Sequence, residues 1–195
     1  MAAAYVVLAY LLGSIPVGVV LSRLKGQDPR KAGSGNIGAT NVMRTAGKGL
    51  GILTLAGDMA KGFLPTWLAM RYNQPTMVIA ACGFAAFIGH VWPIYLGFRG
   101  GKGVATALGL FLALKPAVIP LLLIVFVLVL VKWGYVSLGS LASTAVTPIF
   151  LALFGSPVEY ITASLAVGLL IFYKHSDNIK RLLAGKEHKF RGASA

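Results

Sequence analysis

Acidic side chains are scarce here: 5 Asp and Glu stand against 18 Lys and Arg, with 3 histidines and one cysteine. The lone Cys82, inside an apolar run, excludes a disulfide framework. So few acids and histidines leave little for a zinc site or a two-carboxylate mechanism, and no metal or cofactor is expected. The chain also lacks an H-x-x-x-x-D motif and a Gly-x-Ser-x-Gly elbow. Charge of either sign is sparse, at 12% of 195 residues. A soluble domain of this size needs more polar surface than that.

What is present is apolar and continuous. Hydrophobic residues make up 57% of the chain and come in long runs. A bilayer core ~30 Å thick takes a helix of ~20 mostly apolar residues. These runs predict an all-α polytopic membrane protein, a single integral-membrane domain over 1–191. The ending 192–195 reads as a cloning remnant. The first run, Ala4 to Leu21, carries no cleavage pattern and reads as a retained helix. In a soluble protein a net charge of +13 would suggest nucleic acid. In a membrane protein it reads as the positive-inside bias, so no nucleic-acid partner is expected. Room remains for an anionic substrate.

Spans are predicted at 3–22, 50–70, 76–93, 103–114, 116–132, 135–154 and 157–173. Lys115-Pro116 interrupts an apolar stretch, because the residue before a proline disfavours helix. Seven spans, with the N-terminus outside and the C-terminus cytoplasmic, put the basic residues of 23–48, Arg99, Lys102, Lys132 and the tail on one side. Five spans plus a re-entrant hairpin over 103–132 would give the same sidedness. The segment 103–114 covers only ~18 Å. Its start is therefore expected at a sunken helix N-terminus.

Four constellations carry chemistry. In Gly33-Ser34-Gly35-Asn36-Ile37-Gly38-Ala39-Thr40-Asn41, glycines turn backbone N–H groups toward an anion while Ser34, Asn36, Thr40 and Asn41 add neutral donors. Arg44 adds a planar fork suited to phosphate, on the same face as Thr40 if this stretch is helical. Arg99-Gly100-Gly101-Lys102-Gly103 places donors and a lysine at the start of an apolar helix. It is not a Walker A loop, since glycine follows the lysine; a tight turn with a snorkelling lysine is the plainer alternative. His175 and Asn178 fall one helical turn apart in a basic juxtamembrane stretch that could also hold anionic lipid heads. Asp58 and Lys61 lie within the second span. Each charge there costs ~2.5–3.5 kcal/mol on insertion scales, which favours a buried supporting strut over direct substrate contact. Ser140 joins the catalytic candidates, although a shallow serine also serves helix packing. His90 reads as an interfacial histidine.

These residues resemble the PlsY family, the bacterial acyl-phosphate–glycerol-3-phosphate acyltransferases. The resemblance rests on G-S-G-N-I-G-A-T-N with Arg44, on G-D-M-A-K-G at Gly57 to Gly62, on G-F-R-G-G-K-G-V-A-T at Gly97 to Thr106, and on H-S-D-N-I-K-R-L-L-A-G-K-E at His175 to Glu187. The motifs keep the family's order over nearly the whole chain. The resemblance implies a seven-helix fold, acyl phosphate as donor, glycerol 3-phosphate as acceptor, and lysophosphatidate plus phosphate as products. Composition and spacing alone stop at an anion-handling membrane protein.

On that footing the expected reaction is direct attack by the 1-hydroxyl of glycerol 3-phosphate, with no acyl-enzyme. Arg44, Lys102 and the Gly33–Asn41 loop would hold the two phosphates. Lys102 and the N–H groups near Gly101 would neutralise the departing one, and Asn178 would serve an oxyanion or a phosphate. The proton goes either to His175 or to a substrate phosphate, with the second preferred. The separated motifs are expected to gather into one cationic pocket at the cytoplasmic face of the inner membrane, in a monomer in contact with membrane lipid. A transporter of phosphate or a small phosphoester is the rival reading.

Overall fold

The computed structural model describes residues 2–190. The tail segment 192–195 lies outside them. Among the described residues all regular structure is helical, and the chain divides into two compact units, Met1–Leu114 and Lys115–Ala195.

The first unit holds α1 (Ala2–Gly13), α2 (Val17–Arg23), α3 (Ala39–Thr45), α4 (Lys48–Arg71), α5 (Thr76–Val91) and α6 (Val104–Leu114). The first predicted span is not one helix. It breaks at Ser14-Ile15-Pro16, because Pro16 has no N–H and pushes Ile15 out of the helical region. Ser14 turns back, its Oγ donating to the Tyr10 carbonyl at 2.8 Å. At the other predicted spans the chain forms helices whose ends lie within a few residues of expectation. α4, at 24 residues, is long enough to cross a bilayer core.

Close helix crossings hold this unit together. Gly62 of α4 faces the Thr106 carbonyl, and Gly109 of α6 faces the Met59 carbonyl. A Cβ at either position would sit 2.0 Å from that oxygen. Small residues thus let two backbones touch where lipid supplies no hydrophobic drive for association. The glycines of Gly57-Asp58-Met59-Ala60-Lys61-Gly62 therefore serve packing, and the same segment turns Asp58 and Lys61 inward. Val19, Val42, Phe87 and Leu110 fill the core.

The second unit holds a short 3-10 turn (Pro116–Val118), α7 (Ile119–Trp133), α8 (Val136–Leu153), α9 (Val158–Lys174) and α10 (Ser176–Leu183). Its core includes Leu151, Val167 and Ile171, while Leu128, Val131, Leu153 and Leu169 stand largely exposed. Exposed leucine and valine on this scale suit lipid rather than water. Four stretches of the chain are long and apolar enough to cross a membrane: Ala2–Arg23, Thr76–Leu96, Pro116–Trp133 and Val136–Leu153. Val104–Leu114 is shorter.

Candidate functional site

In the first unit, the Gly33–Asn41 segment folds around one side chain. Asn41 is 1% exposed. Its Oδ1 accepts from the Ser34 amide at 2.8 Å. Its Nδ2 donates to the carbonyls of Pro29 (2.8 Å), Ala32 (3.1 Å) and Asn36 (2.8 Å). An amide has two hydrogens and one acceptor oxygen, so this carboxamide is committed to shaping the loop. The expected role of Asn41 as a phosphate donor is corrected accordingly. The loop can wrap this tightly because Gly33 (φ 60°) and Gly35 (φ 71°) occupy left-handed backbone.

Wound around Asn41, the loop leaves Ser34 and Gly35 exposed and Asn36 and Thr40 half-buried. Thr40 and the exposed Arg44 both lie on α3, where i, i+4 spacing puts them on one face. Asp28, the one acid in 23–48, is tied to Arg30 at 2.6 Å. That hydrogen bond holds its carboxyl well below the usual carboxylate range.

The Gly100–Gly103 segment is anchored from behind. The Gly100 amide donates to the Val91 carbonyl at 3.2 Å and the Gly101 amide to the His90 carbonyl at 3.1 Å. These two N–H groups, expected to face a phosphate, are directed into the fold instead. Gly103 (φ 82°) presses on the Phe87 ring, and its carbonyl accepts the first bond of α6 from Ala107 at 2.8 Å. The donors that a helix start leaves without an internal acceptor are then those of Val104 to Thr106, next to half-buried Lys102.

Packed behind this segment, through His90, lies a buried charge pair. Lys61 Nζ is 2.9 Å from Asp58 Oδ1, with both side chains buried. Lys61 also donates to the Ile15 carbonyl at 3.0 Å, at the break between α1 and α2. His90, expected at the interface, is 3% exposed and sits with Nδ1 3.6 Å from Asp58 Oδ1.

In the second unit, His175 closes α9 and opens α10. Its Nδ1 lies 2.8 Å from the Ile171 carbonyl. A carbonyl only accepts, so Nδ1 donates in this contact. Asn178 Nδ2 donates to Glu187 Oε1 at 2.6 Å, Ser137 Oγ donates to the same oxygen at 2.9 Å, and Arg181 Nε donates to Oε2 at 2.7 Å. Ser140 is buried, with Oγ on its own helix's Val136 carbonyl at 2.9 Å. A serine inside a helix commonly donates to the carbonyl four residues back in this way.

Glu187 was not singled out from the sequence. The signal was there: an acid in a basic tail, in a chain with 5 acids, needs partners. Burial alone would raise its carboxyl, but the bonds from Asn178, Arg181 and Ser137 outweigh that and hold it below its ordinary value. A depressed folded value means the stabilisation is present above the unfolded value, ~4.3, and fades as pH falls through the lower folded one. Thermal stability in detergent should therefore drop on acidification below about pH 4.3, and Glu187→Gln should flatten that drop. Parallel native and variant curves would remove Glu187 from the acid response.

Among the described residues no group of three or more His, Cys, Asp or Glu is placed to hold a metal.

A family model described as glycerol-3-phosphate acyltransferase matches residues 3–185. The glycerol-3-phosphate acyltransferase of Geotalea daltonii is 48% identical over 183 residues, 94% of each chain. That of Aquifex aeolicus is 44% identical over 186 residues, 95% of this chain and 97% of the other. The crystal structure of PlsY, an integral membrane glycerol 3-phosphate acyltransferase, in its glycerol 3-phosphate form, aligns with a TM-score of 0.94 at 44% identity, covering 97% and 95% of the two chains. Its lysophosphatidic acid form aligns at 0.92 and 43% identity over the same shares. Motif order, helical fold and near-complete coverage agree, and the chain belongs to the PlsY family of integral-membrane glycerol-3-phosphate acyltransferases.

Proposed function

We propose that this protein transfers a fatty acyl group from acyl phosphate to the 1-hydroxyl of glycerol 3-phosphate, releasing lysophosphatidate and inorganic phosphate. The observation that carries this reading is the first unit's pair of anion-handling segments. One is a Gly-rich loop locked by Asn41 with Arg44 beside it. The other is a lysine at the start of α6. Two anionic substrates repel each other unless fixed cations gather them, and proximity is then the main catalytic gain. The relatives solved with glycerol 3-phosphate and lysophosphatidic acid support the same pair of ligands.

The hydroxyl oxygen bonds to the acyl carbon, the bond from that carbon to the phosphate oxygen breaks, and the hydroxyl proton goes to a phosphate oxygen. No covalent acyl-enzyme forms, because a mixed anhydride already has a good leaving group. Lys102 and the first-turn amides of α6 stabilise the departing phosphate. Ser34, Asn36, Thr40 and Arg44 hold substrate phosphate, and the motif that carries Asn178 gives that residue to the oxyanion or to a phosphate. Seven spans, an outside N-terminus and a cytoplasmic C-terminus follow from the charge distribution. On this reading the protein works as a monomer in the inner membrane with its chemistry facing the cytoplasm.

The test is a two-substrate assay on purified protein in detergent. Phosphate should be released from acyl phosphate only when glycerol 3-phosphate is present, and acyl-CoA should not replace the donor. Inert protein, or acceptor-independent release, would overturn the reading; a transporter would be inert without a sealed compartment. His175→Gln should keep turnover within about tenfold of native, since a lost general base costs ~10²–10⁴. A larger loss at unchanged substrate affinity would assign the proton to His175.

A further inference from the structure

We propose that His90 is a positioning residue that sets Lys102 in place, acting through the Gly100–Gly101 backbone. This rests on the role given above to Lys102 and adds a residue that the motifs do not contain. His90 lies in the last turn of α5, yet it reaches both the buried charge pair and the lysine segment. On one side its Nδ1 is 3.6 Å from Asp58 Oδ1. On the other its carbonyl accepts from the Gly101 amide at 3.1 Å. The ring itself backs the same residue, since a Cβ on Gly101 would lie 2.3 Å from His90 Nε2. Gly100 is pinned beside it: a Cβ there would meet the His90 carbonyl oxygen at 2.1 Å. Lys102 follows directly in the chain.

The arrangement is continuous from the first span to the lysine. The Ile15 carbonyl, exposed by the helix break, receives Lys61. Lys61 pairs with Asp58, Asp58 faces His90, and His90 supports Gly101 on two sides. The three polar side chains that link it are buried: Asp58 is 2% exposed, His90 3% and Lys61 6%. A glycine pair by itself is pliable, and the backbone that carries Lys102 follows it. A planar ring packed against Gly101, with a buried carboxylate 3.6 Å from its Nδ1, removes that freedom without touching substrate. The same contact explains why residue 101 is glycine: any side chain would displace the ring.

Two variants and two readouts test this. His90→Leu keeps bulk and removes the ring nitrogens; His90→Asn keeps a donor in place of Nδ1. His90→Leu should lower kcat by roughly ten- to a hundredfold with an unchanged KM for glycerol 3-phosphate, because misplacement of a catalytic group falls on the reacting step. His90→Asn should recover a large part of that loss. The effect should vanish in a Lys102→Met background, since there is no lysine left to place. The second readout needs no turnover. Labelling of the Lys102 amine by a lysine-directed ester, followed by mass spectrometry, should change several-fold in either His90 variant while Lys115 labels at the native rate. Native kcat, a loss carried by KM, an equal fold-loss with and without Lys102, or unchanged Lys102 labelling would each overturn the proposal. If native protein shows no acyl transfer, the functional reading fails, while the labelling result still decides whether His90 places Lys102.

Discussion

Phosphate release from acyl phosphate should fall by about 10²–10³ when Lys102 is replaced by methionine, the cost of removing one preorganised charge donor at a departing oxyanion. Methionine keeps the length and apolar stem of lysine and deletes only the ammonium. The backbone around it should not move. Gly101 remains bonded to the His90 carbonyl, and Gly103 remains in left-handed backbone against Phe87. The half-buried position accepts an apolar chain without opening a cavity. Any lost rate is therefore lost charge rather than lost fold. Lys102→Arg is the informative companion. Arginine restores the charge but spreads it over a rigid planar fork, so it should recover only part of the rate. The measurement is continuous phosphate release at saturating glycerol 3-phosphate, with thermal unfolding as a control. Native-like turnover in the methionine variant would remove Lys102 from the reaction.

The helices were legible because an apolar run needs only its own residues to declare itself. Val136–Leu153 lies within a residue of its expected ends, and a glycine or proline marks the start of most others. The break in the first span was not legible in the same way. Pro16 is plain in the sequence, but one proline hardly lowers the hydropathy of Ala2–Arg23, so the run read as one helix. What the sequence could not show was which acceptor each donor takes. Gly100 and Gly101 look like anion-facing amides until α5 is seen to present the His90 and Val91 carbonyls to them. Asn41 looks like one donor among several until its carboxamide is found to serve Ser34, Pro29, Ala32 and Asn36. Glu187 lies nine positions from Asn178 but fifty from Ser137. In each case a polar residue was noticed or left aside by type, and its role was decided by a partner that residue type alone does not name.

Lys61→Met should be the most destabilising single change in the first unit. The ammonium holds Asp58 at 2.9 Å and the Ile15 carbonyl at 3.0 Å, where neither side chain of the pair meets solvent. Removing it leaves a buried carboxylate without its nearest cation and costs ~3–5 kcal/mol. For a chain of this length that corresponds to a fall in Tm on the order of 10 °C in detergent. The double variant Asp58→Asn, Lys61→Met should be less destabilised than Lys61→Met alone, because it carries no buried charge to strand. That ordering also separates the two roles the pair could play. A strut shows a large Tm loss that the double variant partly repairs. A direct substrate contact shows lost turnover at a nearly native Tm, with nothing repaired by neutralising Asp58. The contacts to Ile15 and His90 at either end of the pair favour the strut. A Lys61→Met protein within about 2 °C of native Tm would overturn it.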